Sequence, residues 1–342
     1  MYQNVFDDYN VKPRHSLFKI LAVILILTCI IFCVTALLRI FSTANSLIAA
    51  KRDSNDELAN NLLPTHDAVT FSLHQDAPTL NGLYFRSKQW PAKANVIFIP
   101  DHHTDHLQYG LKTGEVFDFF IEHGYNVFAY DPQGTGKSEG DISTYGYSEY
   151  QDVIAAMSAC KRISGFTDFV LYGVGTGTNA AVFAWDNLPE EVLAEDDRKA
   201  EWENVDFSKQ DIKAFICDTP TSTVAESIRA DIADDNFWDR EIIRRFVPLA
   251  IRISTGTGNP DNLVQLYSRI QMPVFMMYND PDNHYDNKAI NSIVSERRRL
   301  VPALTDVFTI KQEGHLEIWG QDNEKLIKKL QQFIDRWMSQ PK

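Results

Sequence analysis

Apolar positions first gather in one unbroken stretch and afterwards recur in short bursts. Ile20 to Leu38, ILAVILILTCIIFCVTALL, carries no charge. At 1.5 Å per residue this run reaches about 28 Å, close to the thickness of a bilayer's hydrocarbon core, and it is apolar on every helical face. Lys12, Arg14 and Lys19 precede it and Arg39 follows directly. The length and the closing arginine favour an uncleaved transmembrane helix over a cleaved signal peptide. The short basic segment before the helix places the N-terminus inside and the domain on the non-cytoplasmic side. Residues 1–19 then form a short tail, 20–38 the membrane span, and 39–66 a polar, partly helical stalk.

From residue 67 to the end, apolar bursts alternate with amphipathic stretches. AVTFSL and GLYFRS read as a hairpin of two exposed strands. NVIFIP, YNVFAYD, DFVLYGV, IKAFICD, PVFMMYN and DVFTIKQ are almost continuously apolar, as strands buried on both faces are. Helical patterns such as GEVFDFFIEHG and YQDVIAAMSACKRI separate most of them. Alternating strands and helices predict an α/β fold with a doubly wound, mostly parallel sheet, whose ligand site lies beyond the C-terminal strand ends. Residues 186–209 interrupt the pattern as an acidic surface insertion. Residues 222–270 interrupt it as a helical segment placed to form a small cap.

Composition narrows the function. The formal net charge is −13; residues 1–40 hold two acidic and four basic residues, so the remainder carries −15. Such a domain repels phosphate backbones, which excludes nucleic acid as a partner. Four scattered cysteines are no disulfide framework, and no Asn-x-Ser/Thr sequon occurs.

Chemistry concentrates after the strands. Gly173-Val174-Gly175-Thr176-Gly177 follows DFVLYGV with the spacing of a nucleophile elbow. Tyr130–Gly140, YDPQGTGKSEG, has the form of a D-x-x-G-x-G-x-S loop. Met272–Asp286 and the Gly-His turn within Gln312–Trp319 follow in order. On these four segments residues 68–338 resemble the α/β-hydrolase superfamily, specifically its membrane-anchored serine hydrolases with a small cap. The resemblance implies esterase, lipase, thioesterase or small-peptide hydrolase chemistry without a cofactor. His315 is then the general base and Asp282 the acid that orients it, with Asp218 and Asp280 as alternative acids. The residue at the nucleophile position is Gly175, which has no atom with which to attack. Thr176 is expected to offer its backbone N–H to an oxyanion and to point its side chain away from His315. Where the family has His-Gly after the first buried strand, this chain has Pro100-Asp101-His102-His103, and a carboxylate at Asp101 disfavours a developing oxyanion.

These features favour a degenerate hydrolase domain that binds a small acyl- or peptide-like ligand or a protein partner. A second reading keeps catalysis through His315 and Asp282, using water or an atypical nucleophile. A third rests on Asp101-His102-His103-Thr104-Asp105-His106, which resembles the H-x-H-x-D-H motif of the metallo-β-lactamase superfamily; His103, Asp105 and His106 would be the metal ligands. Against it, the same residues read as solvent-facing polar groups opening a helix.

Overall fold

The computed structural model describes residues 15–52, 57–198, 202–233, 236–320 and 323–338. The basic residues Lys12 and Arg14 lie outside them. Among the described residues the chain forms one eight-stranded sheet, β1 (Asp67–Phe71), β2 (Leu80–Phe85), β3 (Ala94–Ile99), β4 (Tyr125–Asp131), β5 (Phe169–Val174), β6 (Ile212–Asp218), β7 (Val274–Asn279) and β8 (Thr305–Ile310). Their spatial order is β1-β2-β4-β3-β5-β6-β7-β8. β2 is antiparallel to both β1 and β4, and every later pairing is parallel. The six continuously apolar runs are β3 to β8. β3 and β4 are buried at every position, whereas β8, at the edge, is mostly half-buried. Of the expected hairpin only β1 is largely exposed; β2 is covered because it pairs on both sides.

Strand alternation divides the core in two. Ile97, Phe128, Leu171, Phe215 and Met276 face one side, under α4 (Tyr150–Ser164), α5 (Gly177–Asn187), α8 (Leu263–Arg269) and α9 (Asn287–Leu300). Phe98, Val127, Tyr172, Ile216 and Met277 face the other, under α3 (Thr113–Glu122) and α10 (Asn323–Met338). Helices on both faces of a parallel sheet are what buries those strands. Between β6 and β7 lie α6 (Val224–Ala230), α7 (Arg244–Thr255) with a π-helical turn at Asp239–Ile243 before it, and α8.

The N-terminal helix α1 runs without a break from His15 to Ile48, and a short α2 follows at Glu57–Asn61. Its segment from Leu17 onward is long and apolar enough to cross a membrane. The stalk expected from residue 39 does not begin there. Ala36, Ile40, Ala44 and Ile48, one helical turn apart, are buried where α1 packs against α7 and its π-helical turn. Tertiary packing of that stripe holds Ser42, Thr43, Asn45 and Ser46 in a helix that their own propensities would not favour.

A buried cation ties the second half of the sheet to its helices. Arg297 on α9 is fully buried and donates from Nη1 to the carbonyls of Tyr267 (2.6 Å) and Ile270 (2.8 Å), and from Nη2 to those of Met272 (2.8 Å) and Leu304 (3.4 Å). These carbonyls belong to the end of α8 and to the approaches of β7 and β8. Burial pulls its pKa down to about 10, which still leaves it charged at neutral pH. Arg297→Met keeps much of the volume but strands four carbonyls. It is expected to lower unfolding free energy by about 3 kcal/mol or more, read by thermal or chemical denaturation of the full chain.

Candidate functional site

The site gathers where β3, β5, β7 and β8 end. β5 turns into α5 at Gly175, which sits at φ +51°, a conformation that strains residues with a side chain. Gly177 lets the start of α5 approach the end of β3: a Cβ there would lie 2.3 Å from the Ile99 carbonyl oxygen. The turn therefore has the shape of a nucleophile elbow, and its central residue is the glycine.

The volume beneath that glycine is occupied. A Cβ at residue 175 would come within 2.4 Å of both Cγ and Oδ1 of Asp101. Asp101 Oδ1 accepts hydrogen bonds from the Thr176 N–H (2.8 Å), the Thr176 hydroxyl (2.9 Å) and the His102 N–H (2.8 Å). The Thr176 N–H that the sequence suggested for an oxyanion thus binds a carboxylate of the chain itself. Burial pushes the Asp101 carboxyl above its ordinary range, while the Thr176 N–H, His315 and the His102 N–H pull the other way. The cavity beside it, lined by Pro100, His102 and Thr176 among others, holds ≈ 10 Å³, room for about one water molecule at most.

His315 stands after β8, next to Gly314, which bridges to Asp282 after β7. His315 Nδ1 donates to Asp282 Oδ2 at 2.9 Å, the Asp282 side chain being fully buried. Asp282 Oδ1 also accepts the backbone N–H groups of His284 (2.9 Å) and Tyr285 (2.6 Å), so the acid is fixed. Asp282 is the carboxylate that meets the imidazole; the two alternatives do not. Asp218 is buried under the hydroxyls of Tyr109 (2.7 Å) and Thr219 (2.9 Å), and burial raises its pKa to about 6. Asp280 pairs with Lys311. Among the described residues no serine, threonine or cysteine side chain hydrogen-bonds His315 Nε2. The Thr176 hydroxyl is engaged with Asp101 and the His102 N–H instead.

Several neighbours of the site carry no sequence motif. His284, two residues after Asp282, lies 4.6 Å from His315 ring to ring, and its Nε2 meets Asp231 Oδ1 at 3.1 Å. That carboxylate also accepts from the Tyr145 hydroxyl (2.7 Å), and the Tyr145 ring stacks on His102 at 3.8 Å. Asp231 follows α6, so the β6–β7 helical segment reaches the site through it.

The expected metal triple is not assembled. His103 Nε2 donates to the Leu47 carbonyl at the end of α1 (2.8 Å), and His102 Nε2 donates to the same oxygen (3.1 Å). Since a carbonyl only accepts, both rings carry the proton on Nε2. His106 is drawn the other way, to Asp131 Oδ1 (2.6 Å) and Asn60 Oδ1 (3.0 Å). Asp105, His106 and Asp131 do lie within 4.8 Å of one another. Asp131, however, already accepts the N–H groups of His106 and Lys137, as a loop-organising carboxylate does. Nor does this stretch simply face solvent ahead of a helix: His102 and His103 are half-buried under the end of α1, and His106 is buried against Asp131 and Asn60.

Comparison with protein-family models gives no match, and comparison with curated protein sequences gives none. Solved structures do match. The Pyrococcus furiosus esterase Pf2001 is similar with a TM-score of 0.62 at 16% identity, over 85% of this chain and 99% of that one. The α/β hydrolase GrgF from Penicillium sp. sh18 gives 0.56 at 15%, over 81% and 100%. The Pyrococcus horikoshii acylaminoacyl peptidase gives 0.56 at 15%, over 83% and 44%. The chain has the α/β-hydrolase fold.

The histidines under α1 set a pH response. Burial lowers the His102 pKa from its ordinary 6.5 to about 3, and lowers that of His103 in the same direction. Below pH 6.5 the unfolded chain therefore binds protons that the folded chain refuses. His284 runs oppositely, its pKa being raised chiefly by Asp231. His102 is expected to contribute a loss of about 1.4 kcal/mol per pH unit as pH falls below 6.5. His102→Gln should flatten the acid limb of melting temperature against pH; an unchanged limb would contradict this assignment.

Proposed function

We propose that this protein is a membrane-anchored α/β-hydrolase-fold protein that has given up covalent acyl transfer and uses the site for recognition. The observation that supports this is the placement of Asp101. A triad enzyme needs a hydroxyl or thiol at the elbow and empty donors to receive an oxyanion. Here residue 175 has no side chain, and the donors already hold a carboxylate. Losing the nucleophile alone can lower kcat by about 10⁶. A resident negative charge also opposes the second one that a tetrahedral intermediate would bring. The ligand class consistent with the fold is a small acyl- or peptide-like molecule, with a protein partner as the alternative; membrane attachment through α1 places the domain beside a bilayer.

One feature favours a second reading. His315 and Asp282 keep a base–orienter geometry that a purely structural pair would not need, and base chemistry on water or on a bound substrate is the activity such a pair supports.

Fluorophosphonate labelling of the full chain tests the first reading. The unaltered protein is expected to remain unlabelled. Gly175→Ser should label weakly, because its side chain meets the Asp101 carboxylate. Asp101→Gly with Gly175→Ser, which removes the carboxylate and supplies the hydroxyl, should label strongly. Labelling of the unaltered protein would reveal a nucleophile elsewhere, and equal labelling of the single and double variants would show that Asp101 does not block the site. Ester turnover by the unaltered protein that disappears in His315→Gln would establish the second reading.

A further inference from the structure

The helix that α1 packs against leaves an apolar face uncovered. On α7, Phe246, Leu249 and Ile253 are 45%, 54% and 63% exposed. At 100° per residue they fall within an arc of about 60°. Val247 and Ile251 on the other side of the helix are buried, as is Ala250 beside the exposed face. Phe237, just before the π-helical turn, is 61% exposed. Arg245 and Arg252 flank this face, and Arg240 and Arg244 precede it in the same segment, against Asp239 and Glu241. It is a basic segment in a domain whose balance is otherwise strongly acidic.

Two contacts fix where this face lies along α1. Arg39 Nη2 meets Asp239 Oδ1 at 3.5 Å. The Phe32 ring lies 4.9 Å from the ring of Trp238. Phe32 is seven residues before Arg39, roughly 10 Å deeper into the apolar run. The start of the α7 segment therefore sits beside the outer half of the apolar run, with the aromatic pair within the depth that a helix lying at the headgroup–acyl boundary reaches.

We infer that Phe237–Ile253 is a second membrane contact, an interfacial helix that lies in the headgroup region of the bilayer crossed by α1, with Phe237, Phe246, Leu249 and Ile253 in the acyl boundary. The occupant of the exposed face is lipid. Continuity with α1 supplies the location, and the arginines supply attraction to anionic headgroups. The domain's overall negative charge opposes a broad electrostatic footing on anionic lipid; the four arginines of this segment supply a local one where α1 holds it. The inference rests on α1 spanning the membrane.

The test places single bimane-labelled cysteines in the full-length, otherwise cysteine-free chain, reconstituted in nanodiscs of phosphatidylcholine and phosphatidylserine containing nitroxide-labelled lipid. Ile26→Cys reports the anchor, Leu249→Cys and Ile253→Cys report the α7 face, and Leu300→Cys, exposed at the end of α9, is the control. Positions 249 and 253 should be quenched roughly twofold or more above position 300. Adding Phe246→Glu to Leu249→Cys should reduce that quenching while melting temperature is kept, since residue 246 is a surface position. Quenching at 26 with 249 and 253 equal to 300 would overturn the interfacial helix and leave the anchor standing. Absence of quenching at 26 would overturn the anchor, and the inference with it.

Discussion

The carboxylate of Asp101 and a side chain at residue 175 cannot share the space between β3 and β5. The two strand ends are neighbours in the sheet, and Gly177 lets the start of α5 close on the Ile99 carbonyl, so neither backbone has room to retreat. Once three donors fix Asp101 Oδ1, glycine is the residue the elbow accepts without displacing them. The glycine and the carboxylate therefore go together: the turn after β5 has room for Asp101 because residue 175 carries no side chain.

The same short turn after β3 is held from above. Leu47, near the end of α1, gives its carbonyl to His102 and His103, and the following residues bond to the loop before α4 through Ile48 to Ser143 and Ala50 to Asp141. His102 then touches Tyr145, Tyr145 reaches Asp231, and Asp231 reaches His284 beside His315. An unbroken series of contacts therefore runs from the apolar helix to the imidazole. The position of α1, set by its packing on α7, is built into the geometry of the site.

The strands were legible because a sheet covered on both faces demands continuous apolar runs, as NVIFIP and PVFMMYN are. The turn at Gly175 and the contact between Asp282 and His315 could be anticipated because their segments follow strands in the order of the family they resemble. The contact between Asp101 and Gly175 was not, because it depends on the separation of two strand ends more than seventy residues apart in sequence. Its sign could be anticipated: a carboxylate near an oxyanion position is unfavourable for acyl transfer. The structure turns that repulsion into occupancy. The helical run past Arg39 was hidden because Ser42, Thr43, Asn45 and Ser46 mask a buried stripe of Ala36, Ile40, Ala44 and Ile48. The pairing of His284 with Asp231 joins segments that no local spacing connects, and the separation of His103 from His106 is imposed by Leu47 and Asp131.

A double-mutant cycle on stability reaches the central claim without depending on any substrate. Gly175→Ala adds one methyl group, and its backbone strain at φ +51° is common to both backgrounds and cancels. If Asp101 fills the elbow, Gly175→Ala should cost at least about 1 kcal/mol more in the unaltered chain than in the Asp101→Gly background. Additive costs, equal to within about 0.5 kcal/mol, would mean that the two residues do not compete for the same space, and the account of the site would fail.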